Sequence, residues 1–185
     1  MNIANVITLG RLFAVPVTIW LILGDRLAAA FWVFVIAGIS DALDGWVAKR
    51  YNLITELGRA LDPLADKALL VAVYVTLGSA GHLPDWLVIL VVFRDFAILG
   101  GALLARTLHL DVQFEPVRIS KINTVAQIVL AAAVLGQYAS AFLQTWTTGI
   151  GTWLLMALVT VTTLWSGTAY LIRFSEQTRS SKPGV

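Results

Sequence analysis

Four aspartates stand between positions 41 and 66, in a segment that reads D-A-L-D-G-W-V-A-K-R-Y-N-L-I-T-E-L-G-R-A-L-D-P-L-A-D. Asp41 and Asp44 are three residues apart, and Asp62 and Asp66 are four apart. On a helix, either spacing puts both carboxylates on one face. The surrounding chain is strongly apolar, and an aspartate at the centre of a bilayer costs roughly 2.5–3.5 kcal/mol to insert. Four of them together need a common partner, and a divalent metal is the obvious one. Two facing carboxylate pairs fit a two-metal site, which can stabilise the attacking and leaving oxygens of a displacement at phosphorus. Gly45, Ala48 and Gly58 are small residues beside these carboxylates and leave space for a substrate to approach.

The rest of the composition narrows the metal. The chain has 185 residues and no cysteine, so thiolate sites are excluded, and its two histidines, His82 and His109, are isolated. Carboxylate oxygens suit Mg²⁺ or Mn²⁺. Hydrophobic residues make up 58% of the chain and charged residues only 13%, against about a quarter in a soluble domain. With a mean hydropathy of +0.82, the chain reads as an all-α, polytopic membrane protein.

The elements that must position the aspartates are apolar segments at 8–24, 27–49, 60–79, 85–106, 119–138 and 151–172. Each is near the ~20 residues that span a bilayer, which predicts six transmembrane helices. Gly24-Asp25, Gly78 to Gly81 and Gly149-Ile150-Gly151 mark breaks between them. Pro63 is compatible with a first helical turn, so the third helix is expected to start near 58–60. No cleavable leader is read at the N-terminus, so the first segment is expected to be a retained helix. Basic residues cluster on one side: Lys49, Arg50 and Arg59, then Arg106, Arg118 and Lys121, then Arg173, Arg179 and Lys182. The other side has Arg26 alone. The positive-inside rule then places both termini and the aspartates at the cytoplasmic face. Residues 1–174 are expected to form one domain, and the polar tail 175–185 to be disordered. Trp20, Trp86 and Trp153 fall near span ends, as an aromatic belt requires.

The aspartate segment resembles the signature of the CDP-alcohol phosphotransferases, D-x₂-D-G-x₂-A-R-x₈-G-x₃-D-x₃-D. It matches at every position except the arginine, where Lys49 stands. The opening N-I-A-N-V-I-T-L-G-R is also similar to that family's start, with Ala4 in place of a proline. The resemblance implies transfer of a phosphatidyl-type group from a CDP-linked lipid to an alcohol, with release of CMP. It implies that Asp41, Asp44, Asp62 and Asp66 are metal ligands and that Asp66 is also the general base on the acceptor hydroxyl. It further implies a CDP pocket lined by Gly45, Thr55 and Gly58. Lys49 would meet the nucleotide or pyrophosphate, keeping the charge of the family's arginine but not its bidentate fork. Six helices and a homodimer are the family expectations; a short chain with no further domain is expected in a bacterial inner membrane or an organelle of bacterial descent, with the active site at the cytoplasmic face.

For the acceptor, D-P-L-A-D-K at 62–67, Phe93-Arg94-Asp95 and the run from Arg118 to Thr124 resemble glycerol-type members of the family. They are most similar to the eukaryotic-type cardiolipin synthases, which implies phosphatidylglycerol as acceptor. The alternative is glycerol 3-phosphate, giving phosphatidylglycerophosphate. Arg94, Arg118 and Lys121 are candidates for the acceptor's phosphate. Against this, Arg94 could form a local ion pair with Asp66 or another buried carboxylate, with Asp95 expected on a different side of the helix. Asn123 and Gln127 are read as interhelical hydrogen-bond groups.

Two other classes compete. Membrane prenyltransferases also use aspartate-rich Mg²⁺ sites, but their two motifs lie far apart in the chain. A cation channel or transporter could line a path with aspartates, yet no continuous polar stripe crosses the segments here. Nothing in the sequence suggests a nucleic-acid partner.

Overall fold

A computed structural model describes residues 3–51, 56–107, 118–147 and 149–180, with side chains described at 10, 12–40, 67–101, 119–145, 147, 149–170 and 172. Among the described residues there are seven helices and no strand. In chain order these are α1 (Ile3–Leu23), α2 (Leu27–Tyr51), α3 (Glu56–Ser79), α4 (Asp85–Thr107), α5 (Arg118–Gly136), α6 (Ala141–Thr147) and α7 (Ile150–Ser180).

The six long helices coincide with the six apolar segments, because long runs of Leu, Val, Ile and Ala satisfy their backbone polar groups most readily as helix. The differences are local. The short α6 was not expected; Ser140 caps its start by accepting a hydrogen bond from the Leu143 amide at 3.2 Å. Helix α3 starts at Glu56, so Pro63 lies inside it rather than in its first turn. Helix α7 runs on to Ser180, taking in the first part of the polar tail. That stretch has no glycine or proline, and its Glu, Gln and Arg are good helix formers. Residues 181–185 lie outside the described residues.

The breaks are set by backbone conformation. Asp25 has φ 55° between α1 and α2, Gly81 has φ 77° after α3, and Gly149 has φ 71° before α7. Such values favour glycine, and aspartate is among the few other residues that adopt them. Gly78, expected in a turn, is instead in the last part of α3 and serves packing. A Cβ there would lie 2.8 Å from Val88 Cγ2 on α4.

Helix α1 packs on α2 and α3, α2 and α3 both pack on α5, and α5 packs on α7. Helix α4 bridges α3 and α7, and α6 rests on α5 and α7. The core these helices enclose has two zones. One is apolar: Leu27, Ala30, Phe31 and Phe34 of α2 with Val73, Tyr74 and Leu77 of α3, Leu87 and Val91 of α4, and Leu130, Val134 and Leu135 of α5. The other holds the buried polar residues Arg94, Asp95, Asn123, Gln127, Thr162, Thr163 and Ser166. Because the helices alternate in direction, the change from apolar to polar occurs late in α4 and α7 but early in α5. These seven positions therefore collect towards one end of the bundle, while two further buried threonines, Thr18 of α1 and Thr76 of α3, donate to carbonyls of their own helices elsewhere in it.

The outside is apolar. Phe13, Trp20, Ile89, Phe93, Trp153, Leu154, Val161 and Trp165 all point away from the core with more than half of their surface exposed. A soluble monomer does not carry apolar surface of this extent, whereas acyl chains accommodate it. Helices α5 and α7 contain stretches, at 119–136 and 150–170, that are long and apolar enough to cross a membrane. Trp20 sits at the end of α1 with the Arg26 guanidinium 5.4 Å from its ring centroid, an interfacial pairing.

The close α3–α4 approach yields a test. Gly78→Val should lower stability by about 2 kcal/mol through overpacking against Val88. Adding Val88→Ala should restore part of the loss. Thermal unfolding of the detergent-solubilised protein reads both, and an unchanged midpoint in Gly78→Val would contradict the packing.

Candidate active site

The helical register carries the core stripes into the aspartates. On α2 the buried positions run Leu27, Ala30, Phe31, Phe34, Ala37, and four and seven residues beyond Ala37 are Asp41 and Asp44. On α3 the buried positions Leu77, Val73 and Leu70 continue backwards at one-turn intervals to Asp66 and Asp62. The sequence spacing thus continues the period of both stripes through the two aspartate pairs. Their side chains lie outside the described residues, as do those of Gly45, Lys49 and Gly58 on α2 and α3. Thr55 lies outside the described residues altogether. Among the described side chains, no three His, Cys, Asp or Glu come together. Four carboxylates at these spacings in a cysteine-free chain are a hard oxygen donor set, which fits a divalent cation such as Mg²⁺ or Mn²⁺.

The described part of the site is a buried charge cluster that connects four helices. Arg94 of α4 is 5% exposed. Its Nε donates to Ser166 Oγ of α7 at 2.8 Å, its Nη2 to Ser120 Oγ of α5 at 2.8 Å, and its Nη1 to Asp95 Oδ1 at 2.7 Å. Lys67 Nζ of α3 lies 2.7 Å from Asp95 Oδ2, as an ion pair rather than an aligned hydrogen bond. One carboxylate thus bridges two cations.

This corrects the expectation that Asp95 faces away from Arg94. Successive helix positions do diverge by about 100°, but both residues are buried among polar neighbours, and the long arginine side chain bends back to its neighbour. The ion pair weighed as the alternative role for Arg94 exists, and its partner is Asp95. A guanidinium has five N–H groups; with three given to Ser166, Ser120 and Asp95, two remain.

One turn further along α5, the Thr162 and Thr163 hydroxyls each lie 2.8 Å from Asn123 Oδ1. Tyr74 of α3 donates to the Gln127 backbone carbonyl at 3.1 Å. Asn123 therefore does link helices as expected. The Gln127 side-chain amide is buried without a protein partner. Of the other candidates, Arg118 is the first residue of α5, with its side chain outside the described residues. Lys121 is exposed. Lys67, Asp95, Ser120 and Ser166 were not singled out as site residues. The available signal was two adjacent charges inside an otherwise apolar helix, which calls for a buried counter-charge.

The cluster makes a stability prediction. Asp95→Ala leaves Arg94 and Lys67 without a counter-ion and should destabilise by about 3–5 kcal/mol. The double variant Asp95→Leu with Arg94→Met should be less destabilised than Asp95→Ala, because it removes the uncompensated charge. Denaturation of the variants in detergent compares them, and equal losses would show that pairing is not the cause.

Residues 1–165 match the family model described as CDP-alcohol phosphatidyltransferase. The chain is 35% identical to a chloroplastic CDP-diacylglycerol–glycerol-3-phosphate 3-phosphatidyltransferase of Oryza sativa subsp. japonica, over 74% of this chain and 47% of the relative. It is 34% identical to a CMP-forming cardiolipin synthase of Rattus norvegicus, over 72% of this chain and 50% of the relative. It is 35% identical to a CDP-diacylglycerol–glycerol-3-phosphate 3-phosphatidyltransferase of Bacillus subtilis (strain 168), over 72% of this chain and 76% of the relative. The match spans about half the length of the first two relatives and three quarters of the third. The match over residues 1–165, with the 35% identity to the Bacillus relative over 76% of its length, shows that the chain belongs to the CDP-alcohol phosphatidyltransferase family.

Proposed function

We propose that this protein transfers the phosphatidyl group of CDP-diacylglycerol to the hydroxyl of a glycerol-type acceptor and releases CMP. The observation that carries the proposal is the placement of Asp41, Asp44, Asp62 and Asp66 in register with the buried stripes of α2 and α3, in a chain of this family. Phosphatidylglycerol is the preferred acceptor, giving cardiolipin. Glycerol 3-phosphate is the second reading, supported by the printed names of the rice and Bacillus relatives.

In the proposed reaction the acceptor oxygen bonds to the phosphatidyl phosphorus while the bond from that phosphorus to the CMP oxygen breaks. Asp66 takes the hydroxyl proton. A carboxylate positioned against the acceptor hydroxyl can serve as general base. Two divalent cations, Mg²⁺ or Mn²⁺, held by the four aspartates would neutralise the pyrophosphate and the departing CMP. Gly45 and Gly58 leave room for the nucleotide, Thr55 lines its pocket, and Lys49 offsets pyrophosphate charge. Arg118 and Lys121 would meet the acceptor's phosphate. Arg94 would reach that phosphate only through the two N–H groups it does not give to protein.

The setting is a membrane. Helices α1 to α5 and α7 are proposed to be six spans, with both termini and the aspartates at the cytoplasmic face of a bacterial inner membrane. The one-sided distribution of Lys and Arg supports this orientation. Residues 1–174 form the proposed catalytic domain, with 175–185 as its appendage, and a homodimer is the proposed assembly. A channel or transporter is disfavoured because the buried charged and amide side chains among the described residues, Arg94, Asp95, Asn123 and Gln127, collect at one end of the bundle instead of crossing it.

Asp66→Asn should retain CDP-diacylglycerol binding and lose CMP release by at least about 10²-fold, in the range for general-base catalysis. Chelation by EDTA should abolish turnover, with recovery on adding Mg²⁺ or Mn²⁺. CMP release and the mass of the lipid product, with each acceptor in turn, measure both. An active Asp66→Asn enzyme would falsify the assignment of the base.

A further inference from the structure

Two amides in the interior of the bundle have polar atoms that no described protein group satisfies. Asn123 and Gln127 of α5 are both fully buried. Asn123 Nδ2, Gln127 Nε2 and Gln127 Oε1 have no hydrogen-bond partner among the described residues. Buried side-chain amides in folded proteins nearly always have one, either in the protein or in ordered water. The need is greatest in an apolar bundle, where the surroundings offer nothing in exchange for lost hydration.

The helix geometry brings these atoms together. Asn123 and Gln127 are four residues apart, so they share a face of α5 and stand one turn from each other. A long helical side chain leans back towards the N-terminus of its helix. Gln127 therefore extends towards Asn123. The Thr162 and Thr163 hydroxyls, each 2.8 Å from Asn123 Oδ1, hold the oxygen of that amide towards α7 and leave its Nδ2 turned away from them. Turning the Gln127 amide over exchanges its two ends, and neither gains a protein partner.

Chemistry limits what can satisfy them. The occupant must accept a hydrogen bond from Asn123 Nδ2 and donate one to Gln127 Oε1. A metal cation is repelled by an amide N–H, and a bare anion would bring an uncompensated charge into the interior. A neutral hydroxyl both accepts and donates. Depth separates this place from the aspartates. Tyr74 of α3 donates to the Gln127 carbonyl at 3.1 Å, which sets Gln127 near the level of Tyr74. Tyr74 is eight residues beyond Asp66, about 12 Å along the helix. At that depth, with no exposed surface on either amide, water is the hydroxyl that fits.

We propose that this junction of α3, α5 and α7 is an internal water site, in which at least one ordered water bridges Asn123 Nδ2 and Gln127 Oε1. Ser120, Asn123 and Gln127 follow one another at intervals of three and four along one face of α5. Ser120 accepts from Arg94 of α4, and Asn123 accepts from two threonines of α7. The water extends this polar column by one turn. Interhelical hydrogen bonds of this kind hold helices in register in a bilayer, where lipid tails compete with apolar side chains for the same contacts.

The test is a high-resolution map of the detergent-purified full chain without substrate, and of its Gln127→Met variant, with thermal unfolding of both. Methionine keeps the length of glutamine and removes both polar atoms. The unaltered protein should show one or two compact peaks within about 2.7–3.2 Å of the two amides, and the variant should lack the bridging peak. Losing the water leaves Asn123 Nδ2 unpaired, so the unfolding midpoint of Gln127→Met should fall by about 2–4 °C. A dry junction predicts the opposite, because methionine then removes groups that were already unpaired. An unchanged or raised midpoint, a map with no peak, or direct contact between the two amides would overturn the proposal. Density too long for water would overturn it too. Steady-state CMP release distinguishes a substrate hydroxyl: KM for phosphatidylglycerol or glycerol 3-phosphate should stay within about twofold in Gln127→Met, and a larger rise confined to the acceptor would assign the place to substrate. Should Gln127→Met fail to fold, the map of the unaltered protein decides alone. The same map decides if the unaltered protein releases no CMP, a result that would overturn the phosphatidyl-transfer reading and not the water site.

Discussion

A charge inside an apolar bundle cannot stand alone, and in this protein one carboxylate keeps two cations in place. Asp95 lies between Arg94 and Lys67, with each cation 2.7 Å from a different oxygen. Through Arg94 the same cluster reaches Ser120 and Ser166, so α3, α4, α5 and α7 all meet at it. Breaking such a pair costs more than replacing it wholesale by apolar residues. Retaining three ionic groups at this depth therefore argues for a purpose beyond holding helices together, since leucines would do that as well.

The bundle is organised around keeping that polar end separate from the rest of the core. On every long helix with described core positions near it, the buried stripe changes character at the same height. On α4 it passes from Leu87 and Val91 to Arg94 and Asp95; on α7 it passes from Val159 to Thr162, Thr163 and Ser166. On α5 the order is reversed, from Asn123 and Gln127 to Leu130 and Val134, as its opposite direction requires. The sequence spacing of the aspartates on α2 and α3 continues the period of the buried stripes there. The apolar zone then acts as a rigid base, closely packed where Gly78 meets Val88 and where Gly136 admits Phe31 and Leu143 within 3.2 Å of a would-be Cβ. Rigid helices hold functional groups more precisely than loops do.

Much of this was legible in the sequence, for identifiable reasons. Helix positions follow from the length of the apolar runs, and the aspartate spacings of three and four have one face in common only on helices. What was not legible depends on tertiary contact. Glycine at position 78 reads as a breaker by propensity, yet helix packing overrides propensity where a neighbouring side chain takes the space of the missing Cβ. Helix α6 is too short for a periodic signal, and only Ser140 hints at its start. The direction of Asp95 could not be read from a helical wheel, because a wheel gives Cβ directions and a four-bond arginine side chain does not have to follow them. Lys67 was legible only as one cation among several near the aspartates; its partner on α4 had to be seen.

The same contacts constrain how a phosphate could be recognised here. Serine hydroxyls hold Arg94 by its Nε and Nη2 edges and a carboxylate holds it by Nη1, which fixes the plane of the guanidinium. A planar fork held in this way is a scaffold for α5, whose first turns carry Ser120, Lys121 and Asn123. A flexible ammonium, by contrast, can turn from a carboxylate towards an arriving anion without moving a helix. The division of labour between Arg94 and Lys67 thus follows from side-chain chemistry. The rigid cation sets the spacing of α4, α5 and α7, and the same aspartate holds Lys67 of α3 to α4.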